Sequence, residues 1–212
     1  MKRIHRHIVL SQTYRLSSDT TGTVGEKAKS VDPENRLFAR ANVRRLDAEE
    51  IRDSLLAVAG HLDRSIGGPD LGEDDGEKVP RRSVYFRHAY EKQVAMLVLF
   101  DGASPTECYR RSPSILPQQA LALANSQLSR DLSRRLGEML HTQTGHSGSV
   151  QHDEFIARLF VCVLSRRPTA EELETCNSFL EATNADSDEA VLARRQSLTH
   201  ALLNHNDFVV AR

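Results

Sequence analysis

A chain of 212 residues with 39% hydrophobic side chains can bury roughly 70% of the surface its unfolded form exposes, enough for one sizeable core or two small ones. Its 28 Lys and Arg face 29 Asp and Glu, for a formal net charge of -1, so no global field gathers nucleic acid or anionic lipid onto it and no nucleic-acid partner is expected. No run of eighteen apolar residues occurs, and the apolar part of Met1–Leu10 is too short for a signal-peptide core, so neither a leader nor direct membrane insertion is expected.

In chain order, Ile4, Ile8, Val9 and Tyr14 fit one face of an opening helix, and the Ser-, Thr- and Gly-rich stretch 17–30 reads as a solvated loop. Asp32-Pro33 supplies an N-cap and a first-turn proline for a second helix. Asp47 and Glu50 form a capping box ahead of Ile51, Leu55, Val58 and Leu62, with Gly60 placed as a C-cap or a local weakness. The acidic stretch 70–78 lacks apolar residues and reads as a mobile loop. Val84-Tyr85-Phe86 is expected as a short strand, while Val94–Phe100 is an apolar run of undecided type. Pro105 and Pro113 mark an irregular excursion.

From Pro117 to Leu140, Leu121, Ala124, Leu128, Leu132, Leu136 and Met139 recur at spacings of three and four, predicting one long helix. After a loop over 142–150, Phe155 to Leu164 form the next helix, which stops before Pro168. Thr169 with Glu172 caps a helix that buries Leu173, Cys176, Phe179 and Leu180, and Ser187 caps a last one bearing Val191, Leu198, Ala201 and Leu202. The expected fold is mainly α: an irregular helical bundle with long loops and at most a short β-strand pair. A single domain spans 1–212, with N-terminal helices over 1–66, a loop-rich middle over 67–116 and a helical bundle over 117–212.

Landmarks along the chain carry a resemblance: His5-Arg6-His7-Ile8-Val9-Leu10-Ser11-Gln12-Thr13-Tyr14-Arg15, Asp32-Pro33-Glu34-Asn35-Arg36-Leu37 and Arg44-Arg45-Leu46-Asp47-Ala48-Glu49-Glu50-Ile51. Gly67-Gly68-Pro69, Arg82-Ser83-Val84-Tyr85, Gln118-Gln119-Ala120-Leu121, Arg166-Arg167-Pro168-Thr169 and Leu202-Leu203-Asn204-His205-Asn206-Asp207-Phe208 follow. In that order they resemble the planctomycete-type domain-of-unknown-function family 1553, nearly end to end. Lacking tryptophan and beginning inside the pattern, the chain reads as an N-terminally shortened member. The resemblance implies an exported or envelope-associated context and an upstream companion domain or protein as partner. It further implies a non-catalytic accessory or protein-interaction role, with two alternatives: a hydrolase-like fragment acting on complex polysaccharide, or a module binding anionic, sulfated glycan.

Candidate residues follow from chemistry. Asp101, Cys108, Arg111, Gln118 and Asn125 fall around the broken segment, where a nucleophile, a cation and amide donors could converge on a ligand; equally, Asp101 caps a turn, Arg111 bridges carbonyls and Cys108 is a small buried residue. Twenty-three of the basic residues are Arg, six times in adjacent pairs. Arg44, Arg45, Arg82, Arg110 and Arg111 are the candidates for an anionic ligand, against ordinary ion pairing. The other pairs include Arg134-Arg135, Arg166-Arg167 and Arg194-Arg195. Cys108, Cys162 and Cys176 form neither a disulfide framework nor a zinc knuckle. His5 with His7 and His141 with His146 lack metal-pair spacing, while His200 and His205 complement a helix end. No metal and no cofactor are expected.

Overall fold

The computed structural model describes residues 1–18, 20, 22–107, 111, 114, 116–145, 149–181 and 187–211. The chain divides into two compact units, one of Met1–Arg45 with the residues from Val210 onward, the other of Leu46–Val209. The architecture is mainly α, with one two-stranded antiparallel sheet among the described residues.

The first unit contains α1 (Lys2–Val9), α2 (Gly22–Val31) and strands β1 (Arg44–Arg45) and β2 (Val210–Ala211), with Arg44 opposite Ala211 and Arg45 opposite Val210. Helix α2 occupies part of the stretch expected as a loop. Its Gly25 acts as a packing glycine rather than a breaker: a Cβ there would sit 2.6 Å from the Thr20 carbonyl carbon. Conversely, Asp32-Pro33 ends a helix instead of starting one. The Asp32 carboxylate accepts the amides of Arg36 and Leu37 at 2.9 and 2.7 Å, and Asn35 and Phe38 both take positive φ, so the segment closes as a turn.

The second unit holds α3 (Ala48–Val58), α4 (Ala95–Leu99), α5 (Pro117–Asn125), α6 (Gln127–Thr144), α7 (Ser149–Leu164), α8 (Ala170–Glu181) and α9 (Asp188–Leu203). The capping boxes expected at Asp47/Glu50 and Thr169/Glu172 are formed, and Ser187 caps α9 through the Ala190 amide. Ile51, Leu55, Leu136, Phe155, Ile156, Leu159 and Leu203 are sealed from solvent. Helices α6 and α9 are closely packed: a Cβ on Gly137 would meet the Cα of Gln196 at 3.0 Å.

Four expectations are corrected here. The single helix over 117–140 is two, because Ser126 adopts an extended conformation and its hydroxyl caps α6 at the Ser129 amide, 3.1 Å away. That break turns Leu121 outward, where it is 59% exposed, and points Gln119 and Leu123 inward; Phe179 is likewise exposed. Ser83–Tyr85 is a 3-10 turn rather than a strand. The acidic stretch read as mobile carries tertiary bonds, since Asp70 pairs with Arg87 at 2.6 Å and the Gly76 carbonyl accepts from Arg52 at 2.7 Å.

Two arginines sit inside this unit with no exposed surface. Arg52 on α3 donates to the carbonyls of Gly76, Val79 and Arg81 at 2.7, 2.6 and 2.8 Å, reaches the Ser83 hydroxyl at 3.3 Å and lies over the Phe86 ring. One side chain thereby fixes the whole 76–83 connection to α3. Burial pushes its guanidinium pKa down and nearby Asp53 acts to restore it. Arg195 on α9 stacks on Phe155, bonds the Gly145 carbonyl at 2.9 Å and contacts His141 Nδ1 at 2.9 Å, while His141 Nε2 lies 3.2 Å from Asp188.

Candidate functional site

A groove of about 730 Å³ runs along α3, the 82–88 segment and α4 of the second unit. It forms because the buried stripe of α3 (Ala48, Ile51, Arg52, Leu55) leaves Asp47, Glu49, Glu50 and Asp53 on the side away from the core. Arg52 then draws the following segment across the helix. Its lining mixes apolar side chains, among them Ala57, Phe86, Val94 and Leu97, with polar ones such as Ser54, Ser83, His88 and Gln93, and Val84 and Val98 stand exposed in it at 69% and 52%.

The rim carboxylates are already engaged. Arg111 grips Glu49 in a two-point pair, 2.7 Å from Oε2 and 3.1 Å from Oε1, and approaches Asp47 at 3.8 Å. Partial burial pushes the Glu49 carboxyl up, but the hydrogen bonds from Arg111, a backbone amide and the Arg111 and His88 charges together outweigh it, so the carboxyl titrates below its ordinary value. Asp53 accepts the Ser83 amide and hydroxyl at 2.8 and 2.7 Å, and Glu50 accepts the Asp47 amide at 2.9 Å. These bonds brace the groove wall. Among the described residues, neither Ser54 nor Ser83 is hydrogen-bonded to His88, the histidine of the groove.

The sequence-predicted candidates are dispersed. Arg111 reaches the groove, but Asp101 does not line it. The Asp101 carboxylate accepts the Ser114 amide and hydroxyl, both at 2.7 Å, and the Gln119 amide at 3.3 Å, while Gln119 also donates to the Leu99 carbonyl at 2.9 Å. Asp101, Ser114 and Gln119 therefore clamp the connection from α4 to α5, with Asp101 at φ +60°. Gln118, one position away, is exposed. Asn125 donates to the Leu121 carbonyl at 2.9 Å within its own helix. Cys108 and Arg110 lie outside the described residues, as do Pro113 and His146.

Most of the paired arginines among the described residues also have individual partners. Arg44 and Arg45 form β1, with Arg44 Nη1 on the Arg45 carbonyl. Arg81 stacks on Tyr85 and bonds the Gly67 carbonyl, while Arg82 approaches Asp53 at 4.0 Å. Arg134 pairs with Asp131, Arg135 with the Ala59 carbonyl, and Arg194 with the Leu180 carbonyl. Arg166 has the densest set: it holds Glu172 in a two-point pair at 2.8 and 2.7 Å and Asp207 at 3.1 Å, drawing together the two landmark segments Arg166–Thr169 and Leu202–Phe208. No group of three or more His, Cys, Asp or Glu among the described residues is arranged to hold a metal ion, and no described helix is long and apolar enough to cross a membrane.

The Arg166 hydrogen bonds pull the Glu172 carboxyl down to about 2 from its ordinary 4.5, with the Thr169 amide assisting and burial opposing. Because the folded-state value is depressed, the stabilisation is complete above pH 4.5 and is lost as pH falls toward 2. With solvent screening at this partly exposed site, we expect Glu172→Gln to lower stability by about 1–2 kcal/mol at pH 7. Urea denaturation at several pH values should show the gap between the variant and the parent closing progressively below pH 4.5.

The chain belongs to the family described as protein of unknown function DUF1553, PSD1, whose model matches residues 1–180. Neither a curated protein nor a solved structure gives a significant match.

Proposed function

We propose that this domain is a non-catalytic interaction module whose α3/α4 groove receives a segment of another polypeptide. It would serve a planctomycete envelope-associated system alongside a companion domain or protein. The observation that carries this reading is the groove itself: Ala57, Leu97 and the exposed Val84 and Val98 offer apolar surface along it, and its acidic groups are already bound to Arg111, Ser83 and the α3 cap. Such a surface gains by excluding water from aliphatic side chains, and its fixed charges set register without needing to be stripped of partners. A hydrolase reading would draw on Asp101 and Arg111 acting together. Asp101 instead clamps Ser114 and Gln119, while Arg111 grips Glu49. For a glycan reading, Arg44, Arg82 and Arg111 would have to leave partners they already hold.

The test is selection of peptides from a displayed random library against the chain and against a Val84→Asp/Val98→Asp variant, whose altered side chains are both exposed. Peptides that bind the parent should lose at least about tenfold in affinity for the variant, the effect of about 1.4 kcal/mol. Equal binding to both proteins, failure to enrich any peptide, or turnover of a complex polysaccharide by the purified chain would each overturn the reading.

A further inference from the structure

The balanced total charge conceals a local imbalance. Residues 1–45 carry ten Lys and Arg against four Asp and Glu, and residues 1–18 carry Lys2, Arg3, Arg6 and Arg15 with no acidic residue at all. The rest of the chain carries 18 basic and 25 acidic residues. The basic excess therefore belongs to the first unit.

Within that unit, α1 buries none of its side chains. At one hundred degrees per residue, Ile4 and Ile8 lie together with Met1 on one face, while Lys2, Arg3 and Arg6 share the opposite one. Ile4 is 59% exposed and Ile8 50%. Ile8, Tyr14 and Phe38 border an open hollow of about 330 Å³. Phe38 stands outward at φ +54°, a backbone conformation that a bulky residue rarely adopts. Aliphatic and aromatic side chains thus crowd a surface that is elsewhere cationic.

We propose that the first unit docks on a bilayer surface rich in anionic headgroups. Ile4, Ile8, Tyr14 and Phe38 enter the headgroup boundary, and the stems of Lys2, Arg3 and Arg6 reach back so that their charges meet lipid phosphates. The combination selects the partner. Nucleic acid matches the cations but leaves the isoleucines in water, whereas a lipid surface satisfies both at once. An eight-residue helix lies on the surface and does not span it.

The experiment is co-sedimentation of the full chain with vesicles of phosphatidylcholine alone, or of phosphatidylcholine mixed with phosphatidylglycerol. Partitioning onto the mixed vesicles only is expected, weakening as salt is raised. Each cation near such a leaflet strengthens binding by about fivefold, so the Lys2→Glu/Arg3→Glu/Arg6→Glu variant should lose at least about a hundredfold. Ile4→Asp/Ile8→Asp should also detach the protein, and neither change touches a buried side chain, as an unaltered circular dichroism spectrum would verify. No binding to mixed vesicles, equal binding to both vesicle types, binding indifferent to the isoleucine changes, or preferential capture by polyglutamate or duplex DNA would each overturn the proposal.

Discussion

Arg52→Met is expected to lower the unfolding free energy by about 3–5 kcal/mol, read as a fall in the urea midpoint. The guanidinium has no exposed surface and serves the carbonyls of Gly76, Val79 and Arg81 together with the Ser83 hydroxyl. Methionine fills much of the space and satisfies none of them, and each orphaned buried acceptor costs about 1–3 kcal/mol unless water enters. Some relaxation of the 76–83 segment keeps the total below the simple sum. Arg52→Lys offers one compact ammonium to acceptors arranged around a planar fork, so it should recover only a minor part. A loss below about 1 kcal/mol for the methionine variant would contradict the role given to this side chain. Because Arg52 positions Ser83, which bonds Asp53 on the groove wall, the variant should also weaken peptide binding without itself lining the groove.

Phe155→Ala should be of comparable size, about 3–5 kcal/mol, because truncating a fully buried aromatic leaves a cavity that the surrounding helices only partly close. The ring also supports the Arg195 guanidinium, 4.7 Å from its centroid, which adds up to about 2 kcal/mol where the cation is desolvated. Phe155→Leu retains most of the volume and should cost less, about 1–2 kcal/mol. Equal losses for the two substitutions, measured by the same denaturation, would show that the packing around this ring is not as described.

Helix positions were legible where burial and capping agree. Asp47 with Glu50, Thr169 with Glu172 and Ser187 each combine a cap with a following apolar stripe, and all three helices start there. The stripe alone misled at Leu121, because aliphatic spacing runs unbroken through Ser126 while the backbone does not. Asp32-Pro33 misled for the opposite reason: the same residues that cap a helix also close a turn, and positive φ at Asn35 and Phe38 decides between them.

The site was less legible. Asp101, Arg111, Gln118 and Asn125 are close in sequence, but the fold assigns them to different tasks, and the buried amide belongs to Gln119 rather than Gln118. The groove depends on pairings such as Glu49 with Arg111 and Asp53 with Ser83, separated by 62 and 30 positions, which spacing cannot reveal. One signal was available. Arg52 falls between Ala48 and Leu55, and Arg195 between Val191 and Leu198, each within the apolar stripe of its helix. A cation at such a position must find several acceptors in the interior, and both do.

Whether the α3/α4 groove receives another polypeptide, as proposed, is read out by methyl NMR of the chain titrated with a library-selected peptide. Shifts should concentrate at Val84, Val94, Leu97 and Val98, with the methyls of Leu136 and Leu159 in the sealed interior unmoved. Saturable shifts confined to side chains outside the groove, with those four valine and leucine residues unchanged, would contradict it.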